Sequence, residues 1–201
     1  MTVTSPWTAP PPPRATRYGR VAMALHWTIA GLIYIQLGLG WYMNEVLPDH
    51  SPAQAGVEVI HISVGLTLLM LVLARIAWRL ANPPPPLPAT LAPWEATLAR
   101  LVHFTFYAVM LILPLCGWAL VSSEAKPLLF WGLDFPKIPG LTGLSHDQHH
   151  LLKHTHVYTL IWIAILTWVL HVGGALRHQF DGNPVLWRMI PFLKPGPPRG
   201  K

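Results

Sequence analysis

Four long stretches of the chain are almost free of charged residues, and polar, proline-containing connections separate them. The stretches cover residues 21–44, 59–74 with a continuation past Arg75 to about residue 80, 101–123 and 155–176. Crossing the hydrocarbon core of a bilayer takes about 20 apolar residues in a helix, and each stretch is long enough. The pattern therefore predicts an all-α integral membrane four-helix bundle with both termini on one side.

Composition and charge agree with one membrane domain. The chain has 201 residues, of which 52% are hydrophobic and 11% charged. The N-tail, the second connection and the C-tail hold eleven of the fourteen lysines and arginines, whereas the other side has only Lys126, Lys137 and Lys153. Because positive residues concentrate on the cytoplasmic side, we predict a multi-pass membrane protein with both termini cytoplasmic. Topology and contact with anionic membrane lipid then explain the net charge of +6, and no nucleic-acid partner is indicated.

The predicted membrane domain covers residues 18–192. Residues 1–17 are proline-rich and are expected to form a disordered inner tail, and residues 193–201 a basic inner tail. No small-residue cleavage site follows the first apolar run, so we expect that span to be retained. Cys116 is the only cysteine and the Cys-x-x-Cys-His motif is absent, so any haem would be held noncovalently.

Histidines inside the spans are the strongest chemical signal, because a protonatable imidazole is costly in hydrocarbon. His26 and His171 each lie about six residues from the inner end of their spans, and His61 and His156 each open a span from the outside. A b-type haem takes two imidazoles from different helices at matching height. The two level pairs predict two stacked b haems, with hydrogen bonding to neighbouring backbone as the alternative for any one histidine.

Further polar residues leave their roles open. His103, near the inner end of the third span, competes with His171 as partner of His26 or takes a supporting or quinone-facing role. His178 either donates to a quinone carbonyl or faces water. Arg75 and Arg79, four residues apart, pair either with haem propionates or with lipid phosphate, and Arg20 and Arg177 lie at similar depth. The outer histidines, which are His146, His149, His150 and His154, bind a divalent metal, pass protons or simply face solvent.

With these residues in view, the chain resembles the bacterial cytochrome b561 family, small four-helix dihaem proteins that include the superoxide oxidases. The resemblance runs from about residue 17 to 192. Its marks in the first two spans are Ala24-Leu-His-Trp27, Ile60-His-Ile-Ser-Val-Gly65 and Arg75-Ile-Ala-Trp-Arg79. Those in the third span are His103-Phe-Thr-Phe-Tyr107 and Leu113-Pro-Leu-Cys-Gly-Trp118. The last are Leu152-Lys-His-Thr-His156, His171-Val-Gly-Gly-Ala-Leu-Arg-His178 and Asp181-Gly-Asn-Pro-Val-Leu-Trp-Arg-Met-Ile-Pro191.

The resemblance implies an inner haem on His26 and His171, an outer haem on His61 and His156, and a quinone site near His178. One departure matters, because the family's span-four histidines are typically fourteen residues apart and here they are fifteen apart. A one-residue bulge in the helix would absorb the difference. Alternatively, His154 is the outer ligand.

Three functions follow as hypotheses. The main one, implied by the resemblance, is a superoxide:quinone oxidoreductase or electron carrier, in which an outer donor such as superoxide supplies electrons that leave to ubiquinone. Lys126, Lys137 and Lys153 would steer the anion toward the outer haem. The second is a cytochrome b anchor subunit of a soluble dehydrogenase or hydrogenase. The third is a histidine-lined metal or proton transporter, which would be colourless.

Overall fold

Four long helices dominate the computed structural model, which describes residues 17–181 and 184–194. They are α1 (Arg20–Glu45), α2 (Pro52–Ala81), α3 (Pro93–Ser123) and a fourth rod made of α4 (His146–His154), a π-helical turn (Thr155–Thr159) and α5 (Leu160–Phe180). All four are long and apolar enough to cross a membrane, so the predicted spans are confirmed. The predicted tails fall almost entirely outside the described residues, and the domain boundaries stay predictions.

Local sequence signals explain where the helices begin and end. The hydroxyl of Ser51 accepts a hydrogen bond from the backbone N–H of Gln54 at 3.1 Å, which caps α2 just before Pro52. The carboxylate of Glu95 accepts one from the N–H of Ala92 at 3.0 Å at the start of α3. The four prolines after Asn82 lack N–H groups and cannot continue α2.

Sequential helices pack side by side, and one seam of the bundle stays wide. Helix α1 packs on α2, α2 on α3, and α3 on α5. Within the described residues, no Cα of α1 lies within 8 Å of a Cα of α5. Side chains bridge this gap, and the clearest bridge is the hydrogen bond from the indole N–H of Trp168 to the hydroxyl of Tyr34 at 2.9 Å. The densest apolar core lies instead around α2, at Ile29, Val64, Leu68 and Val72.

Each end of the bundle carries a folded connection. We call the end that holds the first residue of α1 the inner end, following the predicted topology, and the end with the α3–α4 connection the outer end. At the inner end, Arg17 donates to the carbonyls of Ile190 and Pro191 at 2.7 and 2.6 Å, and Trp27 donates to that of Met189 at 2.8 Å. At the outer end, a hairpin of β1 (Leu129–Phe130) and β2 (Leu133–Asp134) packs on α2.

Replacing Trp168 with Phe tests the side-chain bridge across the wide seam. Loss of a hydrogen bond between membrane helices should lower the free energy of unfolding by about 0.6 kcal/mol. Trp162→Phe is the matched control, because Trp162 lies on the same helix with 67% of its surface exposed. The measurement is SDS-induced unfolding of both variants in mixed micelles. Equal unfolding free energies for the two variants would contradict the bridge.

Candidate functional site

The outer histidine pair joins α2 to the fourth rod. The ring centres of His61 and His156 are 6.2 Å apart, with an angle of 82° between the ring planes. The Nδ1 atom of His156 lies 3.1 Å from the carbonyl oxygen of Leu113, a geometry in which the ring donates its Nδ1–H and leaves Nε2 as the free lone pair. His61 keeps a buried Nδ1 atom that has no hydrogen-bond partner in the described part of the chain.

Two glycines make room for this pair. A Cβ atom added to Gly117 would lie 2.9 Å from Cε1 of His156, closer than van der Waals contact allows. A Cβ atom added to Gly40 would lie 3.4 Å from Cε1 of His61. The backbone of α3 therefore comes this close to the His156 ring only because Gly117 has no side chain, whereas the backbone of α1 at Gly40 lies at about van der Waals distance from the His61 ring.

The π-helical turn brings His156 into this position. The backbone N–H of Leu160 bonds to the carbonyl of Thr155, five residues back, so the turn from Thr155 to Thr159 holds one residue more than an α-helical turn. The bulge predicted from the fifteen-residue spacing is therefore present. The ring of His154 instead contacts Tyr158 at 5.1 Å, so the structure brings His156 to His61 and directs His154 elsewhere.

The inner pair joins α1 to α5 across the wide seam. The ring centres of His26 and His171 are also 6.2 Å apart, with an interplanar angle of 56°. His103 lies closer to His171, at 5.3 Å in an edge-on contact, and Phe106 packs against His171 at the same distance. Three histidines therefore meet at the inner level, whereas two meet at the outer level.

The ring spacing shows which pairs fit a metal. An imidazole nitrogen binds a transition metal at about 2 Å and the ring centre lies roughly 1 Å behind it, so two axial imidazoles have ring centres about 6 Å apart. Both 6.2 Å pairs match this distance. The 5.3 Å contact between His103 and His171 is a direct ring contact, which favours His26 as the partner of His171. The unpartnered His61 nitrogen, the glycine clearances and the wide α1–α5 seam all suit a flat cofactor with iron at its centre.

Arg75 and Arg79 both lie against Tyr107. Arg75 donates from Nε to the Tyr107 hydroxyl at 3.1 Å, and the two guanidinium carbons lie 5.8 and 5.5 Å from the centre of its ring. Among the described residues, no carboxylate pairs with either arginine, which leaves both charges available to the propionates of a haem. Arg177 is different, because it pairs with Glu95 at 3.4 Å and with Asp181 at 3.2 Å.

Tyr107 is a site residue to which sequence reasoning assigned no role. Tyr107 lies one helical turn beyond His103 on α3, and Arg75 and Arg79 are one turn apart on the adjacent helix α2. These matching spacings are the sequence feature that could have indicated the contact. His178 lies two turns beyond His171 on the same face of α5 and is half-buried. Its predicted contact with a quinone stays a prediction.

The outer polar residues form ion pairs. Lys126 pairs with Glu58 at 2.5 Å and with Glu124 at 2.9 Å, and Lys137 donates to the carbonyl of Glu124 at 2.6 Å. Partial burial is the largest single effect on the pKa of Lys126, and it lowers that pKa. The hydrogen bonds and charges of the two glutamates together outweigh burial, so the pKa of Lys126 is raised. Across the described ranges, no group of three or more histidine, cysteine or acidic side chains is arranged to hold a metal ion. The outer histidines are therefore not gathered into a group of three or more ligands, and their role stays open.

Comparison with known proteins points to one family. The family profile described as prokaryotic cytochrome b561 matches residues 17–192. Cytochrome b561 homolog 2 of Escherichia coli strain K12 is 29% identical over 177 residues, covering 87% of this chain and 91% of the relative. Cytochrome b561 homolog 1 of the same strain is 29% identical over 187 residues, covering 89% and 99%. A protein of Yersinia pestis named probable superoxide oxidase CybB is 27% identical over 180 residues, covering 87% and 96%.

Replacing Gly117 with Ala should disturb the outer pair and leave the inner pair intact. The added methyl group would overlap the His156 ring, so we expect the outer haem to be lost or its low-spin EPR signal to shift. Gly38→Ala is the matched control, because a Cβ atom there meets nothing within 4 Å. The measurements are haem content per chain and the EPR spectrum. Identical spectra for the two variants would show that the clearance at Gly117 is not needed.

Deleting Val157 should convert the π-helical turn into an ordinary α-helix and keep the outer pair. The deletion restores a spacing of fourteen residues between the two histidines. In a regular α-helix, side chains fourteen residues apart point in nearly the same relative directions as side chains fifteen residues apart in a helix with one bulge. Inserting one alanine after Val157 adds a further 100° of rotation, and we expect that variant to lose the outer haem. Haem content and the reduced-minus-oxidised spectrum distinguish the two variants. Loss of haem in the deletion variant would contradict the role of the bulge.

Proposed function

Because the chain belongs to the prokaryotic cytochrome b561 family, we propose that it is a dihaem b cytochrome that carries electrons across the membrane from an outer donor to quinone. Membership makes it a multi-pass bacterial membrane protein of electron transfer and implies b-type haem. The number of haems, the cytoplasmic position of the termini, the donor and the acceptor are parts of the proposal.

The observation that supports two haems is the equal spacing of the two histidine pairs. Each pair has ring centres 6.2 Å apart. His156 and His171 lie in one continuous rod, and fifteen residues at about 1.5 Å per residue separate the two levels by about 22 Å. Bound haem supplies one-electron chemistry at each level. The chain's own work is to hold the four imidazoles at fixed height and to keep water out of the space between them.

The positive charges at the inner level are also part of the proposal. Arg75 and Arg79 carry two positive charges at the inner level, and both guanidinium groups lie against the ring of Tyr107, one helical turn from His103. Positive charge near a haem stabilises its reduced form and so favours arrival of the electron at the inner level. His178, further along the same face of α5, is the side chain we propose for hydrogen bonding to the quinone.

Superoxide is the proposed outer donor, and the name of the Yersinia relative supports it. The contacts of the outer lysines change which of them can attract superoxide. Lys126 lies between two carboxylates, so the group formed by Glu58, Lys126 and Glu124 has a net formal charge of −1 (one cation, two anions) and does not attract an anion. Lys137 is tied to the Glu124 carbonyl. A hydrogen bond to a neutral carbonyl leaves the charge of Lys137 intact, so Lys137 and Lys153, which is exposed on α4, are the cations that remain for steering.

The test begins with the protein purified in lipid nanodiscs. We expect two haems b per chain by pyridine haemochrome assay, with a low-spin reduced spectrum. His61→Ala should lose the outer haem, whereas His154→Ala should keep both. A colourless protein from haem-supplemented cells would overturn the proposal.

The steering step is measured with the same preparation. At low ionic strength, superoxide should reduce the haems of Lys153→Glu more slowly than those of the parent, by a factor of up to about ten. The difference between variant and parent should shrink as salt is added. Lys194→Glu makes the same charge change at the inner end and should leave the rate unchanged. Equal rates for both variants at low salt would exclude steering by Lys153, and no reduction by superoxide in the parent would exclude this donor.

A further inference from the structure

The outer hairpin ends in an unusual turn. Phe130 pairs with Leu133, so the loop consists of Trp131 and Gly132. Both residues have positive φ angles, of 51° and 85°, as in a two-residue type I′ turn. Glycine suits this conformation, but the left-handed region is unfavourable for a bulky residue. Contacts of the Trp131 residue must offset that cost.

Those contacts lie along one stripe of α2. The backbone N–H of Trp131 donates to the hydroxyl of Ser63 at 2.8 Å, and its indole N–H donates to the hydroxyl of Thr67 at 3.2 Å. Ser63 is fully buried and passes its own hydroxyl hydrogen to the carbonyl of Val59, while Thr67 passes its own to the carbonyl of Ser63. Both N–H groups of Trp131 are therefore satisfied, as groups at membrane depth must be.

The position of this stripe gives the depth of the turn. Glu58, ion-paired with Lys126, marks the outer boundary of the apolar part of α2, and Arg75 marks its inner boundary. Ser63 lies five residues inward of Glu58 and Thr67 nine, which at about 1.5 Å per residue is about 7.5 and 13.5 Å along the helix. The turn therefore lies beside the membrane-spanning part of α2 and below the level of its outer charges.

The base of the hairpin is packed, and its tip is apolar and exposed. Leu128 is buried against α2 and α3, and Phe135 packs with Phe130 and Trp118. At the tip, Leu133 is 72% exposed and Trp131 is 57% exposed. The next residue on the α2 stripe after Thr67 is Met70, which is itself 48% exposed.

We propose that the turn of Trp131, Gly132 and Leu133 inserts into the acyl chains of the outer leaflet and anchors the α3–α4 connection to the bilayer. The exposed tip of the hairpin and Met70, which is exposed one turn beyond Thr67 on α2, are then covered by the same lipid. The exposed carboxylate of Asp134 follows directly and limits insertion, since a charged group remains at the headgroup level.

A spin-label accessibility experiment tests the insertion. In a Cys116→Ser background, Leu133→Cys is labelled with a nitroxide in nanodiscs, and collisions with oxygen, which concentrates in lipid, are compared with those of a water-soluble nickel chelate. Leu166→Cys on the exposed face of α5 is the lipid reference, and Thr142→Cys in the exposed part of the same connection is the water reference. Full haem content shows that each labelled variant is folded.

We expect an oxygen-to-nickel collision ratio at position 133 that equals the ratio at 166 and is several-fold above that at 142. A ratio equal to that at 142 would overturn the insertion, and so would low collision rates with both reagents, which would mean that a second copy of the chain covers the turn. Trp131→Cys, labelled in the same way, carries the same expectation and keeps the test decisive if the first variant does not fold.

Discussion

The requirement that an imidazole inside a membrane have a partner determines much of this structure. Each of the four level histidines faces another histidine at the same height, and a metal bound between two such rings would require that they stay level. That demand fixes the vertical register of α2 against the fourth rod through His61 and His156, and of α1 against α5 through His26 and His171. The helices are thus aligned by a few polar contacts in a bundle whose outer faces are apolar.

The wide seam between α1 and α5 follows from the same requirement. A pair of helices packed ridge into groove would bring the two backbones together and leave no space between facing histidines. Here the apolar core is concentrated around α2, and α1 meets α5 through side chains such as Tyr34 and Trp168. Close packing on one side of the bundle supplies stability, and open packing on the other supplies space for a cofactor.

The sequence predicts the spans and the level pairs because both depend on distances along the chain. Hydropathy gave four helices, and counting residues from the span ends brought His26 level with His171. Counting also exposed the fifteen-residue spacing that the π-helical turn absorbs. Contacts between distant segments were not predictable in this way. Lys126 was assigned to attraction of an anion because its partner Glu58 lies 68 residues away in the sequence and meets it only through the fold.

The π-helical turn has a consequence for how such proteins are compared. A search for two histidines at a fixed interval within one transmembrane helix would miss this chain or choose the wrong histidine, because the extra residue changes the interval while His156 still meets His61. The turn from Thr155 to Thr159 holds one residue more than an α-helical turn, so an alignment with a regular helix needs a one-residue gap there. Length variation in a spanning helix can therefore be confined to a single turn.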